Sequence, residues 1–298
     1  MKILYITSYE KSVKCRGYVN DYLNDLTFYG FYELWKDGII EEIVDSTPII
    51  SLYKEYEPKI PKERLWGGMT ALWLIYKDDI NRNNIEGKIR DKYFDLIIYG
   101  NCRRCLDYYD LVTVMYTPDK VFFFDGNDDI DILPHNENHL YFKRELIQEN
   151  IYFNTLPISF SMPTSKFVKV LNRNKTQDYG TVIPSDKSTY IFNNEESYYN
   201  DYQTSYYGVT SKKAGWDCMR HYEILGNGCI PYFIDLDKCP KNSLLLFPKE
   251  LVKEGMLLTT KSEFDTVTYN SVLDEIFEYT KNNLSTMNMA KYVLGCVK

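Results

Sequence analysis

The chain has 298 residues, of which 44% are hydrophobic and 26% charged, which predicts a soluble globular protein of one large or two ordinary domains. Its net charge of −7 argues against extended nucleic-acid binding, because that requires a basic surface. No apolar stretch approaches the length of a membrane span, and the apolar run at the N-terminus is too short for a signal peptide. We therefore expect a cytoplasmic protein with no membrane span.

Cys102 and Cys105 form a C-x-x-C, but a zinc site would need a second close pair, so we expect ordinary reduced cysteines.

The first half of the sequence alternates between apolar runs and segments with one apolar helical face. Such alternation is typical of a Rossmann-like parallel sheet. No G-x-G-x-x-G follows the first apolar run, so the dinucleotide-binding fingerprint is missing. Ser8 and Asn101 follow predicted strands, where open α/β sheets bind ligands, and we predict acceptor or phosphate contacts there. The expected strands are Lys2–Thr7, Ile39–Val44, Phe94–Tyr99 and Lys120–Phe124, and the expected helices are Tyr18–Trp35, a run after Gly68 through Tyr76, and Leu106–Tyr116.

An acidic segment, VFFFDGNDDID, begins in the last of these strands. Its acids Asp125, Asp128 and Asp129 resemble the DxD motif of GT-A glycosyltransferases, and that resemblance implies Mg²⁺ or Mn²⁺ held on a sugar diphosphate. A second interpretation is a loop that faces a cleft, where one acid acts as a base or binds acceptor hydroxyls. A third is a solvated acidic loop, since Asp and Gly favour turns.

The second half predicts a further α/β unit. A helix at Tyr141–Gln148 carries Lys143 and Arg144, which screen the acidic loop, reach a phosphate or lie on a solvated helix face. The proline-bracketed segment Leu156–Pro163 is typical of a crossing between domains, and we place the boundary there, giving domains 1–157 and 158–298. The remaining expectations are a loop at 172–188, a strand Thr189–Phe192, a partial helix in Asn193–Tyr207, a strand Leu244–Phe247 and a mostly helical C-terminus, Phe264–Leu294.

The segment KKAGWDCMRHYEILGNGCIPYFID, which begins at Lys212, concentrates polar residues on an αβ unit. A helix Ala214–Leu225, a Gly-rich stop and a buried strand Cys229–Ile234 are expected. A planar Arg fork suits a diphosphate, and a carboxylate accepts paired hydroxyl donors. The alternative is that Arg220 and Glu223 form ordinary surface pairs at i, i+3 and i, i+4 spacing with their neighbours.

Within this segment, RHYEILGNGCIPYF is similar to the nucleotide-sugar site of GT-B-type glycosyltransferases, in particular the exostosin-like and CgeB-like branches. The resemblance implies that Glu223 holds the nucleotide ribose and that Arg220, with a neighbouring lysine, holds the diphosphate. The second acidic residue of the family pattern is absent, because Pro231 stands there. The nucleotide-sugar-binding residues expected from this comparison are Lys212, Lys213, Trp216, Arg220, His221, Glu223 and Gly226.

Together these patterns predict two Rossmann-like domains facing a cleft, in the GT-B manner, with a C-terminal helix that crosses back to the first domain. The expected function is a hexosyl- or pentosyltransferase that moves a sugar from a nucleotide-sugar donor to a glycan, glycoprotein or other hydroxyl acceptor. No metal or other cofactor is expected, because basic side chains and helix N-termini can stabilise the leaving diphosphate. Asp125 or Asp128 would be the base of an inverting reaction. The rivals are a metal-dependent GT-A enzyme using the acidic loop and a non-catalytic α/β module that binds a phosphorylated ligand.

Overall fold

The computed structural model describes residues 1–7, 20–59, 69–147, 154–260 and 264–297, and these form two parallel sheets. The first has the strand order β2-β1-β3-β4-β5-β6, and the second has the order β7-β8-β9. Both are all-parallel, so the α/β prediction is confirmed and each sheet is consistent with a Rossmann-like unit. The strands are β1 Lys2–Ile6, β2 Glu42–Asp45, β3 Leu96–Tyr99, β4 Val121–Asp125, β5 Leu140–Lys143, β6 Thr155–Pro157, β7 Gln177–Tyr179, β8 Ser205–Thr210 and β9 Ile230–Phe233.

The central strands of the first sheet are buried on both faces, as continuous apolar runs predict. Successive side chains in a strand point to opposite faces, so β1 contributes to two separate cores. Ile3 and Tyr5 join the larger core, whereas Leu4 and Ile6 join the smaller one on the other face. This double burial fixes the register of the sheet and therefore the position of the loops at its carboxyl edge.

Helices cover the sheets, and none of those described is long and apolar enough to cross a membrane. The first helix begins at Asp21, whose side chain accepts a hydrogen bond from the backbone N–H of Asn24 and so satisfies one of the unpaired amides of the first turn. The helices are α1 Tyr22–Lys36, α2 Ile85–Arg90, α3 Tyr109–Met115, α4 Glu195–Gln203, α5 Met219–Gly226, α6 Lys249–Leu257, α7 Thr266–Asn283 and α8 Thr286–Leu294.

The last helix, α8, packs against α1, which covers the first sheet. The two helices approach so closely that a Cβ at Gly30 would lie 2.1 Å from the carbonyl oxygen of Thr286. Thr286 also donates its hydroxyl proton to Glu33, and Tyr292 donates to the carbonyl oxygen of Pro157 at 2.8 Å. The C-terminal end of the chain therefore lies on the first sheet.

Several predicted elements differ in the structure. The predicted helix at Tyr141–Gln148 is wrong: its first residues belong to strand β5, because the apolar side chains there pair with β4 on one side and β6 on the other. The predicted strands Thr189–Phe192 and Leu244–Phe247 are irregular, and Leu244 has a left-handed φ of 54°, which ends regular pairing. The residues from Met69 to Tyr76 form turns rather than a helix.

Other expectations were incomplete. Strand β6 ends in the segment that was predicted as a crossing, and β7 falls in the predicted loop at 172–188. Strand β8 begins in the last residues of the segment predicted as a partial helix. Tyrosine is common in both strands and helices of this chain, so the Tyr-rich sequence around β8 had no clear period. The helix of the polar segment begins only at Met219, because the residues before it are held in an irregular loop by contacts with the first sheet.

Candidate functional site

The candidate site lies where the carboxyl ends of β4 and β5 meet the segment that follows β8. Arg144, just after β5, donates from Nη1 to the carbonyl oxygen of Asp217 at 2.6 Å. Both carboxylate oxygens of Glu145 accept backbone N–H bonds, one from Trp216 and one from Asp217, each 3.0 Å long. A Cβ at Gly215 would lie 2.4 Å from Glu145 Oε1, so the two segments are in direct contact. Open α/β sheets bind ligands at such edges.

Asp125, a predicted catalytic base, ends β4 and is fully buried. Its Oδ2 accepts hydrogen bonds from Tyr141 Oη at 2.5 Å, Arg103 Nε at 2.8 Å and Lys143 Nζ at 3.1 Å. Its Oδ1 accepts the backbone N–H of Asn127 at 3.1 Å. Both oxygens are thus engaged inside the protein, two of the donors are cations, and Asp125 holds the acidic loop in place.

Asp128 and Asp129 are about half exposed and are also paired with cations. Asp128 pairs with Arg144, while Asp129 accepts from Arg103 at 2.9 Å and Lys143 at 3.3 Å. Partial burial raises the pKa of Asp129, but the hydrogen bond from Asn127 and the two cations outweigh it and lower that pKa.

The acidic loop does not fit the metal-binding alternative well. The carboxylates of Asp125, Asp128 and Asp129 already pair with Arg103, Lys143 or Arg144, and these charged side chains compete with Mg²⁺ or Mn²⁺ for the same oxygens. No group of three or more His, Cys, Asp or Glu side chains that could hold a metal ion occurs among the described residues. The loop is not simply solvated either, because Asp125 is buried.

Three of the four predicted acceptor or phosphate contacts, namely Lys143, Arg144 and Asn101, lie inside the protein. Lys143 is fully buried against Asp125 and also donates to the carbonyl oxygen of Asn127 at 3.4 Å. The guanidinium of Arg144 reaches Gly126, the acidic loop and the segment after β8 at once. Asn101 is buried and donates from Nδ2 to Asp21 Oδ2 at 2.6 Å, and Ser8 lies outside the described residues. Lys143, Arg144 and Asn101 therefore position loops at the carboxyl edge of the first sheet.

Two exposed cations mark the carboxyl end of β8. Lys212 and Lys213 are both exposed, and the ammonium of Lys212 lies 5.4 Å from the ring centroid of the mostly buried Trp216. Arg220 and Lys213 each lower the pKa of the Cys218 thiol, against a larger rise caused by its burial.

His221 is a buried structural residue. Its Nδ1 lies 2.9 Å from Thr210 Oγ1, its Nε2 lies 2.9 Å from the carbonyl oxygen of Trp216, and its ring stacks on Phe233. Since a carbonyl can only accept, Nε2 donates and Nδ1 accepts from the Thr210 hydroxyl. Burial lowers the pKa of His221 to about 3, so the ring is neutral at physiological pH. Its bonds tie the end of β8 to the loop that follows.

All eight residues of α5 are buried, so the alternative of surface pairs on this helix is wrong. The helix lies between β9, α4 and α7, which cover it from several sides. At its end, a Cβ at Gly226 would lie 2.5 Å from Met162 Sδ, and the Gly226 carbonyl accepts from the N–H of Val168 at 2.8 Å. Gly226 is therefore a point of close packing.

Glu223 sits on α5 with its carboxylate bound by hydroxyl groups. Oε1 accepts from Thr70 Oγ1 at 2.5 Å, and Oε2 accepts from Tyr198 Oη at 2.9 Å. The Thr70 hydroxyl also lies 2.6 Å from that of Tyr199. Burial raises the pKa of Glu223 more than these hydrogen bonds and the charge of Arg220 lower it. The carboxylate thus already binds two neutral hydroxyls.

Arg220, one turn before Glu223, is only 6% exposed. Its Nη2 donates to Tyr190 Oη at 2.6 Å, and the guanidinium carbon lies 5.5 Å from the centroid of the same ring. Its Nε is buried and has no hydrogen-bond partner in the part of the chain that the structure describes. Tyr190 itself is half exposed, so this partner of the guanidinium is in contact with solvent.

Sequence reasoning missed several members of this site, above all Thr70, Tyr198 and Glu145. No local pattern could link Thr70 to Glu223, because 153 positions separate them. Tyr198 could not be singled out among the chain's 28 tyrosines.

Comparison with known proteins returned no match, either to a protein-family model or to a curated protein.

Proposed function

We propose that this chain is a glycosyltransferase of the GT-B type, which moves a sugar from a nucleotide-sugar donor to a hydroxyl acceptor without a metal ion. The observation that carries the proposal is the pair Arg220 and Glu223. One turn of a buried helix provides a guanidinium whose Nε has no hydrogen-bond partner among the described residues, and a carboxylate that binds two hydroxyls. A nucleoside diphosphate contains both matching groups, a diphosphate and a ribose diol.

The diphosphate would be bound by Arg220 together with the exposed lysines at the end of β8. A guanidinium fork suits phosphate oxygens, and Arg220 now gives one of its donors to the hydroxyl of Tyr190. The charges of Arg220 and Lys213 both lower the pKa of the Cys218 thiol, so both act on the same part of the structure. Such charges stabilise a leaving diphosphate and supply the role that a metal has in other enzymes.

The ribose would be bound by Glu223 through exchange of one hydroxyl for another. Thr70 and Tyr198 each donate one hydrogen bond to this carboxylate. A ribose hydroxyl that replaced Thr70 would leave the number of hydrogen bonds to Glu223 unchanged, so the buried carboxylate would stay satisfied.

The acceptor side of the reaction falls to the acidic loop. Of the two predicted bases, Asp128 is the one with an exposed carboxylate, whereas Asp125 is enclosed by its donors. We assign the acceptor hydroxyl proton to Asp128 and the positioning of the loop to Asp125. General bases typically contribute about 10²- to 10⁴-fold in rate.

Calorimetry with UDP, GDP and their nucleosides, in EDTA, tests the donor site. Arg220→Met keeps the apolar stem and removes the charge, so it should weaken diphosphate binding at least about tenfold and leave nucleoside binding nearly unchanged. Glu223→Gln should weaken diphosphate and nucleoside alike, because its partner is the ribose. Lys241→Met, an exposed cation elsewhere, is the matched control and should behave like the parent.

Two results would contradict the proposal: unchanged affinities in both variants, or binding that EDTA abolishes and Mn²⁺ restores. Release of nucleoside diphosphate from the bound nucleotide sugar then tests turnover. Asp128→Asn should slow that release while nucleotide affinity stays intact, because the acidic loop belongs to the first sheet and the nucleotide to the second.

A further inference from the structure

A second concave surface, which we call the α4 groove, lies on the far side of the hydroxyls that bind Glu223. Its walls are Trp73–Leu74, Ser165–Val168 and one face of helix α4 with Asn227 behind it, and it encloses about 910 Å³. Ligand pockets in proteins typically have about 300–1,000 Å³, so the groove has room for a ligand larger than a single sugar ring. No residue predicted from the sequence as a site residue lines it.

Trp73 lines this groove in a backbone conformation that a large side chain rarely adopts. Its φ is 56°, in the left-handed region. The conformation is held by a hydrogen bond from its N–H to the carbonyl oxygen of Ser51 at 2.9 Å, and by one from Ile75 to Leu52 at 2.8 Å. A strained residue persists only where its surroundings enforce it, and here the result is a half-buried indole at the groove.

Amide and hydroxyl groups supply most of the remaining lining. Asn200 is exposed, and Gln203 is oriented by a hydrogen bond from its Nε2 to Asn227 Oδ1 at 2.9 Å. Asn227 in turn donates from Nδ2 to the carbonyl oxygen of Glu223 at 2.8 Å. Tyr199 completes the connection, because its hydroxyl is bonded to Thr70 and through Thr70 to Glu223. The groove therefore shares a wall with the proposed ribose site.

The charges at the groove disfavour an anionic ligand. Lys166 is the one cation among the described lining residues, and it is paired with Glu195 at 2.5 Å. Glu196 is exposed and adds a negative charge. A phosphate or carboxylate ligand would be repelled, and the many polar groups make a purely apolar ligand unfavourable.

We propose that the α4 groove binds a neutral oligosaccharide. A sugar ring has an apolar C–H face, which packs on an aromatic ring, and a rim of hydroxyls, which bond to amide and carboxylate groups. The groove combines these two kinds of surface in Trp73 and the polar residues of α4. Oligosaccharide binding at the groove does not depend on the proposed function.

The test is titration of the full chain with maltopentaose, cellopentaose, chitopentaose and mannopentaose, followed by calorimetry, with inorganic phosphate as the anionic comparison. The decisive variant is Trp73→Gly, because glycine adopts a positive φ without strain, so the chain should fold at least as well while the ring is gone. We expect about tenfold weaker binding of whichever oligosaccharide binds the parent. Asn200→Ala, at an exposed lining position, should weaken it a few-fold, and Tyr76→Ala, an exposed aromatic outside the groove, should not change it.

The outcomes separate this proposal from the proposed function. Oligosaccharide binding lost in Trp73→Gly supports the groove, whether or not a nucleotide binds. No oligosaccharide binding, or binding unchanged in both Trp73→Gly and Asn200→Ala, overturns it, and phosphate binding lost in these variants overturns the choice of a neutral ligand. Binding of UDP or GDP without oligosaccharide binding overturns only the groove proposal. Oligosaccharide binding without binding of UDP or GDP overturns only the proposed donor site.

Discussion

Two buried carboxylates at this site differ in what surrounds them. Asp125 accepts hydrogen bonds from Arg103, Lys143 and Tyr141, so two of its partners are charged. Within the described residues, Glu223 accepts only from hydroxyls, those of Thr70 and Tyr198. Both are almost inaccessible to solvent. The difference lies therefore in the chemistry of the donors and not in burial.

This difference indicates which carboxylate can exchange partners. Displacing a cation from Asp125 would break a buried ion pair, which is costly. Replacing a hydroxyl at Glu223 with a ligand hydroxyl leaves the balance of charge as it was. We infer that Asp125 belongs to the frame of the site, whereas Glu223 can exchange a hydroxyl partner for that of the proposed ligand.

The largest expected effect comes from breaking the charged network. Asp125→Asn would leave Lys143 and Arg103 without their buried counter-charge, and we expect a loss of about 3–5 kcal/mol in the free energy of unfolding. Urea denaturation of the variant and the parent measures this loss of unfolding free energy. Asp129→Asn, which touches the same two cations from a half-exposed position, should cost only about 0–1 kcal/mol. Equal small losses in both variants would mean that Asp125 is not part of the frame.

The second prediction concerns Asp217, a carboxylate between the two extremes. Its oxygens accept from the N–H of Phe160 and the hydroxyl of Tyr222, and burial raises its pKa from 3.8 to about 7 despite the nearby Arg144. Because the folded-state pKa is the higher one, its stabilising contribution is present below about pH 4 and is lost as pH rises to about 7. At 1.36 kcal/mol per unit, the loss is up to about 4 kcal/mol.

Asp217→Asn should remove this pH dependence and keep both hydrogen bonds, since the amide oxygen can accept from Phe160 and the amide nitrogen can donate to Tyr222. Denaturation at several pH values between 4 and 8 compares the slopes of variant and parent. Asp237→Asn, an exposed carboxylate, is the control and should keep the parent slope. A variant slope equal to the parent slope would show that Asp217 ionises normally.

The third prediction concerns the contact that joins the two regions. Gly215→Ala would place a Cβ 2.4 Å from Glu145 Oε1, so one of the two segments must move. We expect a loss of about 1–3 kcal/mol in unfolding free energy, as for other cases of overpacking. Ala214→Ser, at the exposed neighbouring position, should be close to neutral. A neutral Gly215→Ala would show that the two carboxyl edges are loosely joined.

The sequence predicted the frame better than the site. Continuous apolar runs such as those of β1 and β4 were identified because burial on both faces leaves a local signal. Strand β5 was missed because its last residue, Lys143, is charged, and a charged residue was interpreted as part of a solvated helix face. In the structure Lys143 is buried by ion pairs with Asp125 and Asp129. The partners of Glu223 could not be predicted either, since Thr70 belongs to the other half of the chain.

The smallest expected effect sharpens the comparison most. Glu223→Gln makes the same change as Asp125→Asn, a carboxylate replaced by its amide, but at a site whose partners carry no charge. The hydroxyls of Thr70 and Tyr198 can both donate and accept, so each can reorient toward an amide oxygen or an amide nitrogen. We therefore expect Glu223→Gln to unfold within about 1 kcal/mol of the parent.

The pH dependence of the Glu223 pair provides an independent check. Because burial raises the pKa of Glu223, the parent should lose stability as pH rises through that pKa, whereas the Gln variant should not. The difference in unfolding free energy between the Gln variant and the parent, measured by urea denaturation, should therefore narrow or change sign toward alkaline pH. Losses as large as those of Asp125→Asn at every pH would mean that Glu223 is fixed as firmly as Asp125, and hydroxyl exchange with a ribose would then be too costly to bind a donor.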